Sequence, residues 1–268
     1  KGSAKKALVL QFGGAVGTLS TLGSDGLKVA EVLATELGLP LPDGPWHTHR
    51  DRLVELASSV AILVGSLGKI ARDMSLHMQA EVSELSEPSK EGRGGSSAMP
   101  HKHNPIGCMT VLVAANRVPG LMTSLLSGMA QEHERGLGGW QAEWATIPEI
   151  FQEAANAVSA MVEVVEGLQV NAENMQDNFD ATNEIVFSEA LAAALLPELG
   201  RTKAQELVTQ MIKEAIASNK KLSVIASANP AVLKTINAPD LKLIFDPKEL
   251  LGSTTELIER LLGEKTRP

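Results

Sequence analysis

Between Leu53 and Leu85 the apolar residues return at steps of three and four: Leu53, Leu56, Val60, Leu63, Leu67, Ile70, Met74, Met78, Val82 and Leu85. This spacing is the near-heptad pattern of a helical bundle seam. With Thr48 as N-cap and Asp51 completing a weak capping box, a helix running to Leu85 would be roughly 55 Å long at ~1.5 Å per residue. Its other faces carry Ser58, Ser59, Ala61, Gly65, Ser66 and Gly68, small rather than charged. Helices are therefore expected on more than one side, in a multi-helix oligomeric core. The residue supply agrees, because 44% of the chain is hydrophobic, only 3% is aromatic, and there is no Tyr. Such an aliphatic core suits packed helices better than sheets.

The rest of the 268 residues follows the same pattern, with one or two domains expected. Residues 4–22 read as a helix end running into Gly13, Gly14 and Gly17, taken as a close approach between helices. Ser24-Asp25 can cap a helix over 25–37, which stops at Gly38 before a Pro-rich turn. His47 and His49 follow that turn; without a carboxylate or Cys partner they read as ordinary polar contacts rather than metal ligands. Pro88 ends the long helix. Another begins at Pro105, with Asn104 as cap, and should kink or break at Pro119. A further helix is expected over 137–167, bent near Pro148. Shorter helices with Asn and Asp turns follow, which places a boundary near 170 between a bundle domain (1–170) and a small helical domain (171–268).

A net charge of −8 with no Lys/Arg run argues against nucleic acid as a partner. Residues 7–24 are uncharged and 105–131 carry only Arg117. Their glycines and the central Asn116-Arg117-Val118-Pro119 make buried helices a better reading than membrane spans. The single cysteine, Cys108, excludes an internal disulfide, fits a reducing cytoplasm, and reads as packing.

The chemistry gathers in Gly94-Gly95-Ser96-Ser97-Ala98-Met99-Pro100-His101-Lys102-His103-Asn104-Pro105. A Gly-Ser loop brings two hydroxyls, a cation and an amide to a helix start, where unpaired N–H groups favour an anion. From Gly95 onward this stretch resembles the signature G-S-S-x-M-P-x-K-x-N-P of the fumarase/aspartase superfamily. Gln11-Phe12-Gly13-Gly14-Ala15 and Gln131-Glu132-His133-Glu134-Arg135 through Gly139-Trp140-Gln141-Ala142-Glu143-Trp144 are similar to its muconate-lactonizing branch. The resemblance implies an all-α long-helix bundle with a small C-terminal helical domain, a homotetramer with sites shared between subunits, and no cofactor or metal.

It also implies proton transfer beside a carboxylate through an enediolate, whose charge needs fixed donors. Lys102 and Asn104 are donors of the right kind, and Ser96 is the implied acid/base; spacing alone leaves Ser97 as the alternative. Ser97, Met99, His101, Asn104 and Arg135 are implied to contact substrate. Arg135 could pair with a substrate carboxylate, or with Glu132 or Glu134. His103 stands where relatives commonly have Arg, and a neutral role is expected. Trp140 and Trp144 occupy positions where nucleotide-binding relatives carry phosphate ligands, so a small polycarboxylate is the expected substrate. They could equally be bundle packing.

The chemistry implied is cycloisomerization of a carboxymuconate. A fumarate-releasing lyase of adenylosuccinate or argininosuccinate type is the alternative, and a non-catalytic helical scaffold is another. The superfamily's other conserved regions, one bearing a His acid/base partner, are expected upstream of Lys1. This stretch alone is accordingly expected to be inactive.

Overall fold

The computed structural model describes residues 2–88 and 104–263. In chain order the elements begin with α1 (Gly2–Ala7), a 3-10 turn (Ser20–Asp25), α2 (Gly26–Leu37), α3 (Asp51–His77) and β1 (Leu85–Ser86). Next come α4 (Ile106–Ser127), α5 (Gly139–Glu166), β2 (Gln169–Val170) and α6 (Ala172–Asp180). After a 3-10 turn at Ile185–Phe187 come α7 (Ser188–Ser218), α8 (Leu222–Ala228), α9 (Pro230–Thr235) and α10 (Ala238–Ile244). Another 3-10 turn, Pro247–Leu251, precedes α11 (Thr254–Leu262). The class is all-α. Among the described residues the strands form one antiparallel ladder, with Leu85 opposite Val170 and Ser86 opposite Gln169. The chain divides into two compact units between Asn171 and Ala172.

In the first unit α3, α4 and α5 pack against one another around one core. On α4 the buried residues Cys108, Val111, Ala114, Val118, Met122 and Leu125 recur at steps of three and four. On α5 Ile150, Ala154, Ala157, Met161 and Val164 do the same. Each helix thus presents one apolar stripe to the others.

On α3 the buried face is not the leucine stripe. Val54, Ala57, Val64, Gly68 and Ala71 face the core, whereas Leu63 and Ile70 are exposed and Leu53, Leu56 and Leu67 are half-buried. Small residues let α4 and α5 approach closely; of the larger side chains in the stripe, Val60, Leu67 and Met74 flank the core while Leu63 and Ile70 point outward.

Helix α3 is also shorter than its pattern, 27 residues rather than a run to Leu85. At ~1.5 Å per residue it spans about 40 Å. Neither Thr48 nor any other side chain caps it; Arg50 occupies the N-cap position without a side-chain hydrogen bond. At its other end Ser83 takes a φ of 50°, the Glu84 N–H bonds the His77 carbonyl at 3.0 Å, and the chain turns into the ladder with β2.

Two further expectations are corrected. Residues 8–19 are not a buried helix but an irregular segment in which only Leu10 and Gly13 are buried. Helix α4 runs unbroken through Pro119. The proline removes one N–H bond, and the buried Val118, Met122 and Leu125 on either side of it hold the helix in register.

Helices α3 and α4 are each long and apolar enough to cross a membrane. Here they pack against each other in the core, and Arg117 of α4 forms ion pairs with Glu149 and Glu153 of α5.

The second unit has its own core, drawn from Leu191, Leu195, Val208, Met211, Leu222 and Val232 among others. Phe187 stacks edge-on between Phe179 and Phe245, with centroids at 5.7 and 5.6 Å. Its short helices start where the sequence provides caps. Asn229 accepts the Ala231 N–H at 3.0 Å and Asn237 accepts the Asp240 N–H at 2.9 Å, each followed by or close to a proline in the first turn. Gly200, at φ 72° and ψ 163°, bends α7.

Candidate active site

Of the signature residues, Ser96, Ser97, Met99, His101 and Lys102 lie outside the described residues, as does His103. Their two flanks are described. On the upstream flank Glu87 directs its carboxylate at the start of α4: Oε2 accepts the Gly107 N–H at 2.8 Å and Oε1 the Cys108 N–H at 2.7 Å.

Two N–H groups at that helix start are therefore taken by a carboxylate from the chain itself, while the loop N–H groups and Lys102 of the expected anion site lie outside the described residues. Asn104 is not the side-chain cap; α4 begins at Ile106, and the Asn104 carbonyl accepts the Ile106 N–H at 2.9 Å. Glu87, 20 residues away from Gly107, does the capping. Cys108 is fully buried, and burial together with the Glu87 carboxylate pushes its thiol up to about 12. It is a packed thiol, held protonated.

Arg135 is tied to the glycine loop. Its guanidinium donates to the Gly14 carbonyl at 3.1 Å and to that of Ala15, and its Cζ lies 5.5 Å above the Trp140 ring. Among the described residues it forms no ion pair, so neither Glu132 nor Glu134 is its partner. Gly14 and Gly17 have φ of 71° and 82°, which a side-chain-bearing residue rarely adopts, so the loop can present these carbonyls. Trp140 and Trp144 meet edge to face with centroids 5.2 Å apart, and Trp144 remains 63% exposed. Trp144 is therefore not interior packing within this chain. Beside the same loop a cavity of about 350 Å³ is lined by Phe12, Gly17, Leu19, Leu27, Leu41 and Pro45.

Three further polar groups were not legible as site residues. Arg50 donates to Glu143 through Nε at 2.8 Å and again through Nη2, and its Nη1 donates to the His47 carbonyl at 3.1 Å. Both partners are buried, and Gln131 Nε2 adds a 3.3 Å contact to Glu143 Oε1. Ninety-three residues separate the pair, so no local pattern announces it.

His47 is the third. It is 7% exposed, and neither ring nitrogen has a partner among the described residues. Among the described residues its ring makes none of the ordinary polar contacts expected of it. Burial first, then the Arg135 charge, holds its pKa below the ordinary value of 6.5. No group of three His, Cys, Asp or Glu side chains among the described residues could hold a metal.

The family model described as Lyase matches residues 1–120, and that described as the adenylosuccinate lyase C-terminus matches residues 184–261. The fold resembles the crystal structure of fumarate lyase from Mesorhizobium sp. BNC1, with a TM-score of 0.88 and 33% identity over 98% of this chain and 59% of that one. Both family models and this structure are of lyases, so the chain is similar to lyases of the fumarase/aspartase type.

The sequence is also 45% identical to the 3-carboxy-cis,cis-muconate cycloisomerase of Bradyrhizobium diazoefficiens, over 98% of this chain and 58% of the relative. The crystal structure of the 3-carboxy-cis,cis-muconate lactonizing enzyme from Pseudomonas putida matches with a TM-score of 0.89 and 42% identity, over 98% of this chain and 58% of that one. The chain thus spans less than two thirds of the length of these relatives.

Proposed function

We propose that this protein is a 3-carboxy-cis,cis-muconate cycloisomerase of aromatic catabolism. The observation that carries the reading is likeness to such enzymes over 98% of the chain. A guanidinium at Arg135 that spends its hydrogen bonds on backbone carbonyls rather than on a carboxylate adds support. Its positive charge remains available to a polycarboxylate.

A substrate carboxylate adds to the conjugated double bond, and the electron pair moves onto the neighbouring carboxyl group as an enediolate. Lys102 neutralises that charge and Asn104 donates a hydrogen bond to it, while Ser96 delivers the proton to the adjacent carbon. Ser97, Met99 and His101 contact the substrate beside them, and Arg135 holds a carboxylate. No cofactor is required. The substrate is a small polycarboxylate, and neither nucleic acid nor membrane is a partner.

Association follows from surface chemistry. Ile62, Leu63 and Ile70 on α3, Met109 and Val113 on α4, and Val158, Val162 and Val165 on α5 are exposed. Apolar surface in such quantity on three core helices is characteristic of an association face. We read it as the central interface of a homotetramer whose sites are shared between subunits. The first compact unit is the bundle domain and the second the small C-terminal domain. The single protonated thiol suits a reducing cytoplasm.

The test is loss of the muconate's ultraviolet absorbance, followed with the complete gene product. Wild type is expected to turn over, and Ser96→Ala and Lys102→Met to lose 10²-fold or more, the order expected for an acid/base or charge-stabilising group. Normal turnover by Ser96→Ala defeats the serine assignment. Fumarate release from argininosuccinate or adenylosuccinate, with no lactonization, replaces the reading by the fumarate-releasing one. Inactivity on all three, in an assembled protein, favours a scaffold.

A further inference from the structure

We propose that His47 is a substrate-binding residue, its imidazole donating an N–H to a carboxylate that the Arg135 guanidinium also attracts. The inference rests on the polycarboxylate reading above and adds a specificity-determining residue to it.

On either side of His47, Trp46 and Arg50 are engaged. The Trp46 indole N–H donates to the Leu10 carbonyl at 3.0 Å, and its backbone N–H to Gln11 Oε1 at 3.0 Å. Arg50 is bound to Glu143 and to the His47 carbonyl. The His47 ring, buried in the middle of this network, has both polar atoms without a partner among the described residues. Buried polar atoms are normally satisfied, because desolvation without a replacement bond is unfavourable. As a space-filler, an aliphatic side chain would serve better. The imidazole therefore has a use that lies outside the chain's own hydrogen bonds.

The surroundings say which ligand suits it. Arg135, Arg50 and His49 act on the ring from the cationic side, and Glu134 from the anionic side. Arg50 is neutralised by Glu143, whereas Arg135 is held by the carbonyls of Gly14 and Ala15 and the face of Trp140. Among the described residues, the guanidinium without a carboxylate and the imidazole without a partner thus lie within electrostatic reach of each other. On the loop side a Cβ built on Gly17 would stand 3.1 Å from His47 Cε1, so only glycine lets the loop lie against the ring. A carboxylate suits this place: it accepts the imidazole N–H and balances Arg135. A neutral histidine keeps one N–H for this purpose. An arriving anion also favours the imidazolium, so ligand binding and histidine titration are coupled.

The experiment uses ¹⁵N-histidine spectra of the complete gene product, with the His47 signals assigned by their loss in His47→Leu. The probe is tricarballylate, a saturated tricarboxylate, with succinate for comparison. Tricarballylate is expected to raise the His47 pKa by about one pH unit, the size of effect of an adjacent opposite charge. In turnover assays His47→Leu should raise KM for the carboxymuconate about 10-fold or more while kcat stays within roughly 3-fold, the mark of lost uniform binding. Its melting temperature should equal or exceed that of wild type, since two unsatisfied atoms are removed.

An unchanged KM in an active protein, or a His47 resonance indifferent to tricarballylate, overturns the proposal. So does a markedly destabilised His47→Leu, which would mark the ring as a structural group held by water or by a neighbouring subunit. Absence of wild-type lactonization defeats the cycloisomerase reading alone. The tricarballylate titration then decides His47 separately, a shift supporting it as a ligand for another polycarboxylate and no shift refuting it.

Discussion

Glu87 and Gly107 show how tightly single residues are specified at the edge of the signature. A Cβ on Gly107 would stand 2.3 Å from Val164 Cγ2 and 3.2 Å from Glu87 Oε1, so Gly107→Ala must displace a core side chain or the capping carboxylate. It is expected to cost about 1–3 kcal/mol in denaturant unfolding, as overpacking does. Glu87→Ala removes the cap from two N–H groups and is expected to cost roughly 0.5–2 kcal/mol by the same measurement. His47 has a pH signature in stability. Its folded pKa lies below the ordinary 6.5, through burial and then Arg135, so the unfolded chain binds that proton more readily. Its contribution is complete above pH 6.5 and is lost as the pH falls toward the lowered value. Wild type should therefore lose melting temperature between pH 7 and 5.5 more steeply than His47→Leu. Glu87 was not visible as special in the sequence, and His47 stood out there only as an ordinary polar contact. Glu87 acts on a helix start 20 residues away, and an unsatisfied ring is defined only by what fails to surround it.

The long helices could be read from the chain because their apolar spacing is a local property, repeated over many turns. Their ends could not. Helix α3 stops at His77 although the pattern runs on, since its last turns lose to a tertiary alternative, the ladder between Leu85–Ser86 and Gln169–Val170. Which stripe faces inward was equally hidden: leucines catch the eye, but Ala57, Gly68 and Ala71 allow the closer helix contact. Helix α2 and the short capped helices matched their punctuation, because Gly38, Asn229 and Asn237 act within a turn of themselves. The Arg50–Glu143 pair joins the segment before α3 to α5 and is buried on both sides. Removing one member strands the other charge, so Glu143→Gln or Arg50→Met should destabilise by about 3–5 kcal/mol. The double variant Arg50→Met/Glu143→Leu should recover much of that loss, read from the difference in denaturant midpoints.

For the whole molecule, the outward aliphatic face predicts assembly. Charged substitutions there, such as Ile62→Asp with Val162→Asp, should lower the mass measured by light scattering, while single-chain helicity by circular dichroism is largely kept. A wild-type protein that remains a monomer would argue against this face being an interface. The way the first unit is tied together has a consequence for covalent connectivity. The stretch from Leu85 to Glu87 is secured by pairing with β2 and by the Glu87 bonds to α4, and α3 packs directly on both α4 and α5. None of these ties depends on the peptide bonds between Pro88 and Asn104. A backbone cut in that interval should yield two polypeptides that stay together in native mass spectrometry and separate only in denaturant.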